Sequence, residues 1–294
     1  MATTANITAV QRISRLRRSP DFQQNPTRAI ARRLLWHSRW ALTRTPWQVR
    51  LGANLSVLVP KCGVGALIYY LGYSEPETAR FLTEVLKPGM TFWDIGAHIG
   101  EYSMLAARKV GPSGAVHAFE PLPNIFELLS RNATSNSLCN ISLNQCAVSD
   151  RTSLAELSIH PEAPMSYLKQ DATIDEMLPA ISVETISLDE YFNISGCTPD
   201  LIKVDVEGAE RLVLAGAAEL LSLPPGRAPD WIIEYAPQNC TRFGYAAEAL
   251  IGMLHDYQYQ TYWIGGEGVL EPTQSPPPWE SSGNFAAVKH RPVL

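Results

Sequence analysis

Cysteine is scarce and poorly placed for structural work. Cys62, Cys139, Cys146, Cys197 and Cys240 show no CxxC or CxxH spacing, and an odd number cannot all pair within the chain. A disulfide framework and a structural zinc are both disfavoured, and a reduced, cytoplasmic protein is expected. Long apolar runs are missing as well: nothing approaches the roughly 18 to 20 residues needed to cross a bilayer, and the start of the chain has no apolar signal core. The G-x-G-x-x-G run that brings a backbone against a dinucleotide pyrophosphate is absent, as is the Lys-Ser or Lys-Thr of a P-loop. A phosphate cradle is therefore poorly supported.

Charge is unevenly spread. Residues 1–50 hold ten arginines, no lysine and one acid, Asp21, for a net +9, whereas residues 51–294 carry −14. "QRISRLRR" and "RAIARRLLWHSRW" set arginine among Ile, Leu and Trp, the pattern of a basic amphipathic helix. Such a segment packs on its own domain, lies on an anionic membrane, or meets nucleic acid, with Trp36 and Trp40 free to stack on bases. Residues 1–45 are read as an extension, mobile or helical, and residues 46–294 as one domain. A self-docked or simply solvated arm is the expected reading; peripheral contact with an anionic membrane is the alternative partner role, with nucleic acid behind it, and oligomeric state is not legible.

Downstream, strands alternate with helices. "WQVRLGANLSVLVP" reads as a hairpin and residues 74–86 as a helix with Pro76 in its first turn, which together make up residues 46–88. Within residues 89–294, "TFWDIG", "GAVHAFEP", "ISLNQCAVS", "LIKVDVEG" and "WIIEYAP" are strand candidates, separated mostly by helical stretches over 102–110, 122–135 and 210–221. A helix over 245–254, two last strands, "YQTYWIG" and "NFAAVKH", and a proline-rich loop between them complete the chain. The order predicts an α/β fold with a mostly parallel sheet and helices on both faces.

Ligands of such sheets sit beyond the carboxyl ends of the strands, where strand order reverses. Asp94, Glu120, Asp205 and Glu234 each end a strand candidate, so four acids are expected at one rim. Gly96 and Gly100 permit a tight turn before a helix. Glu120, twenty residues after Gly100, stands where an acid accepts hydrogen bonds from both hydroxyls of a ribose. A ligand with a free ribose and positive charge is implied, and S-adenosylmethionine meets both demands. The competing readings are a turn cap for Asp94 and a solvated strand end for Glu120.

Through "WDIGAHIGEYS", "AFEP", "AVSD", "TISLDEYF", "DLIKVDVEGAE" and "IIEY", the sequence resembles the FkbM family of class I, S-adenosylmethionine-dependent methyltransferases. The resemblance runs over about residues 73–290 and leaves the first 45 or so unmatched. It implies a Rossmann-like fold with a seven-stranded sheet whose last strand is antiparallel. Asp94, Gly96, Ala97, His98 and Gly100 would wrap the methionine moiety, Glu120 with Pro121 would hold the ribose, Cys146 and Ala147 would lie along the adenine, and Asp205 would close the site. It also points to a hydroxyl of a sugar, glycan or other natural product as methyl acceptor.

Methyl transfer to an alcohol is helped by a base that takes the hydroxyl proton. Asp205, Glu207, Glu234 and His98 are the candidates; the three acids are also the candidate ligands should a divalent metal acidify the hydroxyl, although a metal-free site is expected. Glu207 competes with a helix-cap role, His98 with a packed, hydrogen-bonded histidine, and Lys203 reads as a snorkelling side chain. RNA methylation through the basic arm, or a non-catalytic S-adenosylmethionine-binding or membrane-associated module, are the alternatives.

Overall fold

The computed structural model describes residues 17, 19–52, 54–159, 166–168, 179–274, 277–278 and 282–289. Helices α1 (Pro20–Gln24) and α2 (Pro26–Leu42) lead into a hairpin of β1 (Trp47–Leu51) and β2 (Leu55–Val59), followed by α3 (Gly63–Leu71) and α4 (Pro76–Val85). The alternating core then runs β3 (Thr91–Ile95), α5 (Glu101–Val110), β4 (Ala115–Phe119), α6 (Pro123–Ser135) and β5 (Ile141–Asn144). After β6 (Ala147–Val148), β7 (Ser153–Ile159), β8 (Ser166–Leu168) and β9 (Ala180–Ile186) come α7 (Leu188–Ser195), β10 (Leu201–Val204), α8 (Glu210–Ala215), α9 (Ala218–Ser222) and β11 (Asp230–Tyr235). The last elements are α10 (Pro237–Arg242), α11 (Glu248–Asp256), β12 (Gln260–Ile264), β13 (Leu270–Pro272) and β14 (Gly283–Val288).

The main sheet has the order β13-β12-β14-β11-β10-β3-β4-β5. Strands β5, β4, β3, β10 and β11 are parallel, and β14 enters antiparallel between β11 and β12. This is the expected Rossmann-like arrangement, with β13 as an eighth, edge strand from the start of the segment read as a loop. Successive residues send their side chains to opposite faces. Phe92, Val116, Leu201 and Ile232 therefore pack under α4 and α5, while Trp93, Ile202 and Ile233 meet α8, α9 and α11.

Three sequence expectations need correction. "ISLNQCAVS" is not one strand: β5 stops at Asn144, and β6 joins a separate sheet of order β6-β9-β7-β8. Cys146 and Ala147 thus follow the third strand rather than end it. The helix expected over 210–221 breaks into α8 and α9 at Gly216, where a Cβ would lie 2.2 Å from the Ser149 carbonyl oxygen. Within the segment read as a proline-rich loop, residues 275–276 and 279–281 lie outside the described residues.

The segment before the hairpin is docked. Asn25 caps α2, its side chain accepting from the Arg28 amide, and Pro26 fills the first turn. Ala29, Trp36 and Trp40 turn inward, and the Trp36 ring stacks on Tyr69 with 5.4 Å between centroids. These rings belong to an apolar cluster with Val49, Val57, Ile99 and Leu129. Buried there, Trp36 and Trp40 are not offered to a base, which removes the stacking part of the RNA alternative. "QRISRLRR" lies outside the described residues apart from Arg17.

Candidate active site

Strand order reverses between β3, which is followed by β4 on one side, and β10 on the other. The cavity opens there, beyond the carboxyl ends of β3, β4 and β10, as expected of an open parallel sheet. Its walls come from residues 96–99, 119–122, 146–148 and 205–207, with Val64, Ser74, Glu101, Tyr102, Leu157, Lys203 and Ala209.

The glycine turn is built on close backbone approach. Gly96 has φ +80°, and a Cβ there would lie 1.9 Å from the Asp205 carbonyl oxygen. The position therefore needs glycine because β10 runs past it, not because a ligand fills the space. His98 also takes a positive φ, +51°, which is uncommon for a residue with a Cβ. Its amide donates to Glu120 Oε2 at 3.1 Å. On α6, Asn132 Oδ1 accepts from the Leu58 amide at 2.7 Å and its Nδ2 donates to the Ile99 carbonyl at 2.8 Å, tying the hairpin to the turn.

Glu120 is buried, and its other oxygen accepts from the Leu122 amide at 2.8 Å. Burial pushes the carboxyl up to about 7, although the two amides pull the other way. Each oxygen has lone-pair capacity left, so two adjacent hydroxyls can donate to it.

A charged layer lies beneath. Lys203 on β10 registers with Asp94 on β3 and is 1% exposed, so it does not snorkel. Its ammonium donates to Asp205 Oδ2 at 2.7 Å and lies 4.8 Å from the centre of the Tyr102 ring. Burial opposes its charge, but Asp205, Glu75 and Asp94 together hold its pKa above the ordinary lysine value. Asp94 accepts from Ser103 Oγ at 2.5 Å through one oxygen, while Oδ1 has no partner. Burial raises its pKa, with Lys203 partly offsetting the rise.

Glu207 is not the cap. Its φ of +56° turns the side chain toward Asn239, whose Nδ2 donates to Oε2 at 2.8 Å. Glu210 Oε1 instead accepts from the Val206 and Gly208 amides, both at 3.1 Å. Burial, then the charges of Asp205 and Glu210, push Glu207 up to about 7. Glu101 is also pushed to about 7 by burial, although its carboxylate accepts from the Ser74 amide at 3.0 Å and from the Ser74 hydroxyl.

Among the expected site residues, Gly96, Ala97, His98, Glu120, Pro121, Cys146, Ala147, Asp205 and Glu207 share the cavity. Asp94, Gly100 and Glu234 do not line it. Asp94 is 1% exposed and bonded to Ser103; Gly100 starts α5 against Leu129; Glu234 pairs in register with Asn284. Burial and the charges of Asp205, Glu207 and Glu210 raise Glu234 well above the ordinary carboxylate range. Both His98 ring nitrogens are buried, but neither has a hydrogen-bond partner, so it is not a satisfied core histidine. Burial lowers its pKa to about 4 against the pull of Asp205. Among the described residues, no group of three or more His, Cys, Asp or Glu is arranged to hold a metal ion.

Sequence reasoning missed Ser74, Glu101, Tyr102 and Lys203. Glu101, immediately after the glycine turn, carried a usable signal: a carboxylate in the first turn of the helix facing the ligand loop.

A Rossmann-like sheet with this strand order, a glycine turn after its first parallel strand and an acid ending the second define a class I, S-adenosylmethionine-dependent methyltransferase. The chain belongs to the FkbM methyltransferase family, whose domain description matches residues 94–261. It is 33% identical over 199 residues to the 31-O-demethyl-FK506 methyltransferase FkbM of Streptomyces tacrolimicus, covering 58% of this chain and 75% of that protein. It is 30% identical over 148 residues to the hexuronic acid methyltransferase AglP of Haloferax volcanii, covering 50% and 58% respectively. Among solved structures, fibrillarin of Aeropyrum pernix with bound S-adenosyl-L-methionine is similar at a TM-score of 0.43 and 14% identity, over 83% of this chain and 99% of that one.

Proposed function

We propose that the protein methylates a hydroxyl oxygen of a sugar, glycan or other natural product. The observation that carries this reading is Glu207: a carboxylate pushed to about 7, facing the cavity, with one oxygen held by Asn239. The names of two relatives, one with a 31-O-demethyl acceptor and one with a hexuronic acid, support oxygen as the receiving atom.

The residues present suit S-adenosylmethionine. Buried acids favour a cation, the unpartnered His98 nitrogens offer polar contacts, and Phe119, Leu122, Ala147, Val148 and Leu157 provide apolar wall. Gly96, Ala97, His98 and Asp205 would run along the methionine end, Glu120 and Pro121 along the ribose, and Cys146 and Ala147 along the adenine. Asp94 and Gly100 would act from behind, the first through charge and the second by starting α5. Bound there, S-adenosylmethionine supplies a methyl group on positively charged sulfur.

Glu207 takes up the proton that the acceptor hydroxyl sheds as its oxygen gains the methyl group. A carboxylate with a pKa near 7 suits this at neutral pH. Asp205 is committed to Lys203, and His98, held neutral by burial, orients polar groups. Glu234, out of the cavity and raised by burial toward its neutral form, takes no part in the proton transfer. With Asp205 paired to Lys203 and Glu207 to Asn239, we read the site as metal-free.

The test is transfer of labelled methyl groups into a panel of glycosides, polyols and glycolipids, with and without chelator. Glu207→Gln should lower turnover by about a hundredfold or more while leaving S-adenosylhomocysteine affinity unchanged. Near-normal turnover would dismiss Glu207 as the base; loss of activity with chelator and recovery with Mg²⁺ would overturn the metal-free reading.

A further inference from the structure

We infer that the outer face of α2 seats the protein on an anionic lipid surface. This rests on observations separate from the cavity. While Ala29, Trp36 and Trp40 turn inward, Ile30, Leu34, Leu35 and Leu42 stand 45%, 64%, 53% and 83% exposed. At about 100° per residue these four fall within roughly 140° of one another around the helix, and Arg28, Arg39 and Arg32 follow along one edge of that strip. The helix contains no acid.

Two of these cations are held beside the strip. The Arg32 guanidinium lies 4.8 Å from the centre of the Tyr69 ring, and Arg39 lies 5.5 Å from that of Trp40 while donating to Thr45 Oγ1 at 3.2 Å. The helix itself is fixed: Arg33 forms a 2.5 Å ion pair with Asp21, and the two tryptophans anchor its inner side. Its outward face is therefore presented ready-made, without an ordering cost at the moment of contact.

The combination selects the partner. Leucines at the boundary of headgroups and acyl chains enter the apolar layer, while neighbouring guanidiniums meet lipid phosphates. RNA would use the arginines but leave the leucines in water. A protein partner would cover the leucines but must bring acids of its own to match the arginines, whereas an anionic bilayer supplies both at once. The opposite, inner side of the helix reaches toward the site: Trp36 lies beside Gly65 of α3, and the preceding Val64 lines the cavity.

The experiment is flotation of the full chain with vesicles of phosphatidylcholine alone or with about a third phosphatidylglycerol, at low and high NaCl. Binding is expected to the anionic vesicles, to fall as salt rises, and to drop about tenfold or more in Leu34→Glu/Leu35→Glu. That variant should keep its circular dichroism and melting temperature because both side chains are exposed; if it does not, Leu34→Gln/Leu35→Gln should show the same loss with the fold intact. Failure of the wild type to bind anionic vesicles, or equal binding by the folded variants, overturns the proposal. So does a wild-type dimer that these substitutions convert to monomer without vesicle binding, since the face would then belong to a second copy, or RNA binding in place of vesicle binding.

Discussion

Lys203→Met removes the buried ammonium while keeping most of the side-chain volume. At 2.7 Å from Asp205 Oδ2, its attraction to that one charge is about 6 kcal/mol at an effective dielectric of 20. The lysine's own desolvation offsets part of this. Breaking a buried pair from one side costs about 3–5 kcal/mol in practice, because the remaining charge has no counterion. The Asp205 side chain is 27% exposed, so water relieves some of the penalty and the lower figure, about 3 kcal/mol, is expected. For a chain of this size that corresponds to a fall in Tm of roughly 5 °C at pH 7.5. Asp94 and Glu75 already sit above their ordinary values through burial, and Lys203 is what lowers them. Without it they rise further, and a carboxyl whose folded pKa exceeds its unfolded one contributes stability that is present at low pH and lost as pH rises. The deficit should therefore be small near pH 5 and grow toward pH 8, as read by thermal melts of the ligand-free protein across that range. A variant that melts with the wild type at pH 7.5, or whose deficit does not depend on pH, would refute the assignment of Lys203 as the counterion of this layer.

S-adenosylmethionine affinity should rise from pH 6 to 8. Glu101, Glu120 and Glu207, each pushed to about 7, favour the cation only when ionised, so calorimetry in two buffers should also detect proton release; a flat profile counts against the acids as its electrostatic partners. Gly96→Ala should yield little soluble protein, because its Cβ meets the Asp205 carbonyl at 1.9 Å; a folded variant would show that β10 can shift aside. Trp40→Ala should cost about 3–5 kcal/mol, since the ring is 4% exposed in the core cluster. A smaller loss by urea denaturation would mean that α2 adds little to the fold.

Much of the framework was legible because parallel strands buried on both faces read as apolar runs. "TFWDI" and "LIKV" announced β3 and β10, and Gly96 with Gly100 marked the turn. What escaped depends on register or on backbone conformation. A lysine inside an apolar strand looks like one reaching for water until β10 is placed beside β3, which sets Lys203 opposite Asp94. Glu207 looked able to cap α8, and the sequence does not reveal that it takes a positive φ and leaves the Val206 and Gly208 amides to Glu210. The break between β5 and β6 was hidden because "ISLNQCAVS" has no glycine or proline to mark it. The antiparallel pairing of β7 with β9 was missed because β8 intervenes between them in the chain and β9 is partly exposed.

Several departures from local consistency lie around the cavity. His98 and Glu207 hold left-handed backbone without being glycine, at a cost on the order of 1 kcal/mol or more each. Both His98 ring nitrogens are buried and unpaired, and Glu101, Glu120 and Glu207 are acids whose charge is disfavoured where they stand. Some conflicts in and beside the site are resolved within the chain: Glu210 collects two amides, Asn132 links the hairpin to the turn, and Lys203 balances Asp205. The unpaired His98 nitrogens and the crowded acids Glu101, Glu120 and Glu207 are left open, and a cation carrying hydroxyl groups would relieve them. Stability forgone by keeping these acids buried would return as binding free energy once a cation is bound beside them.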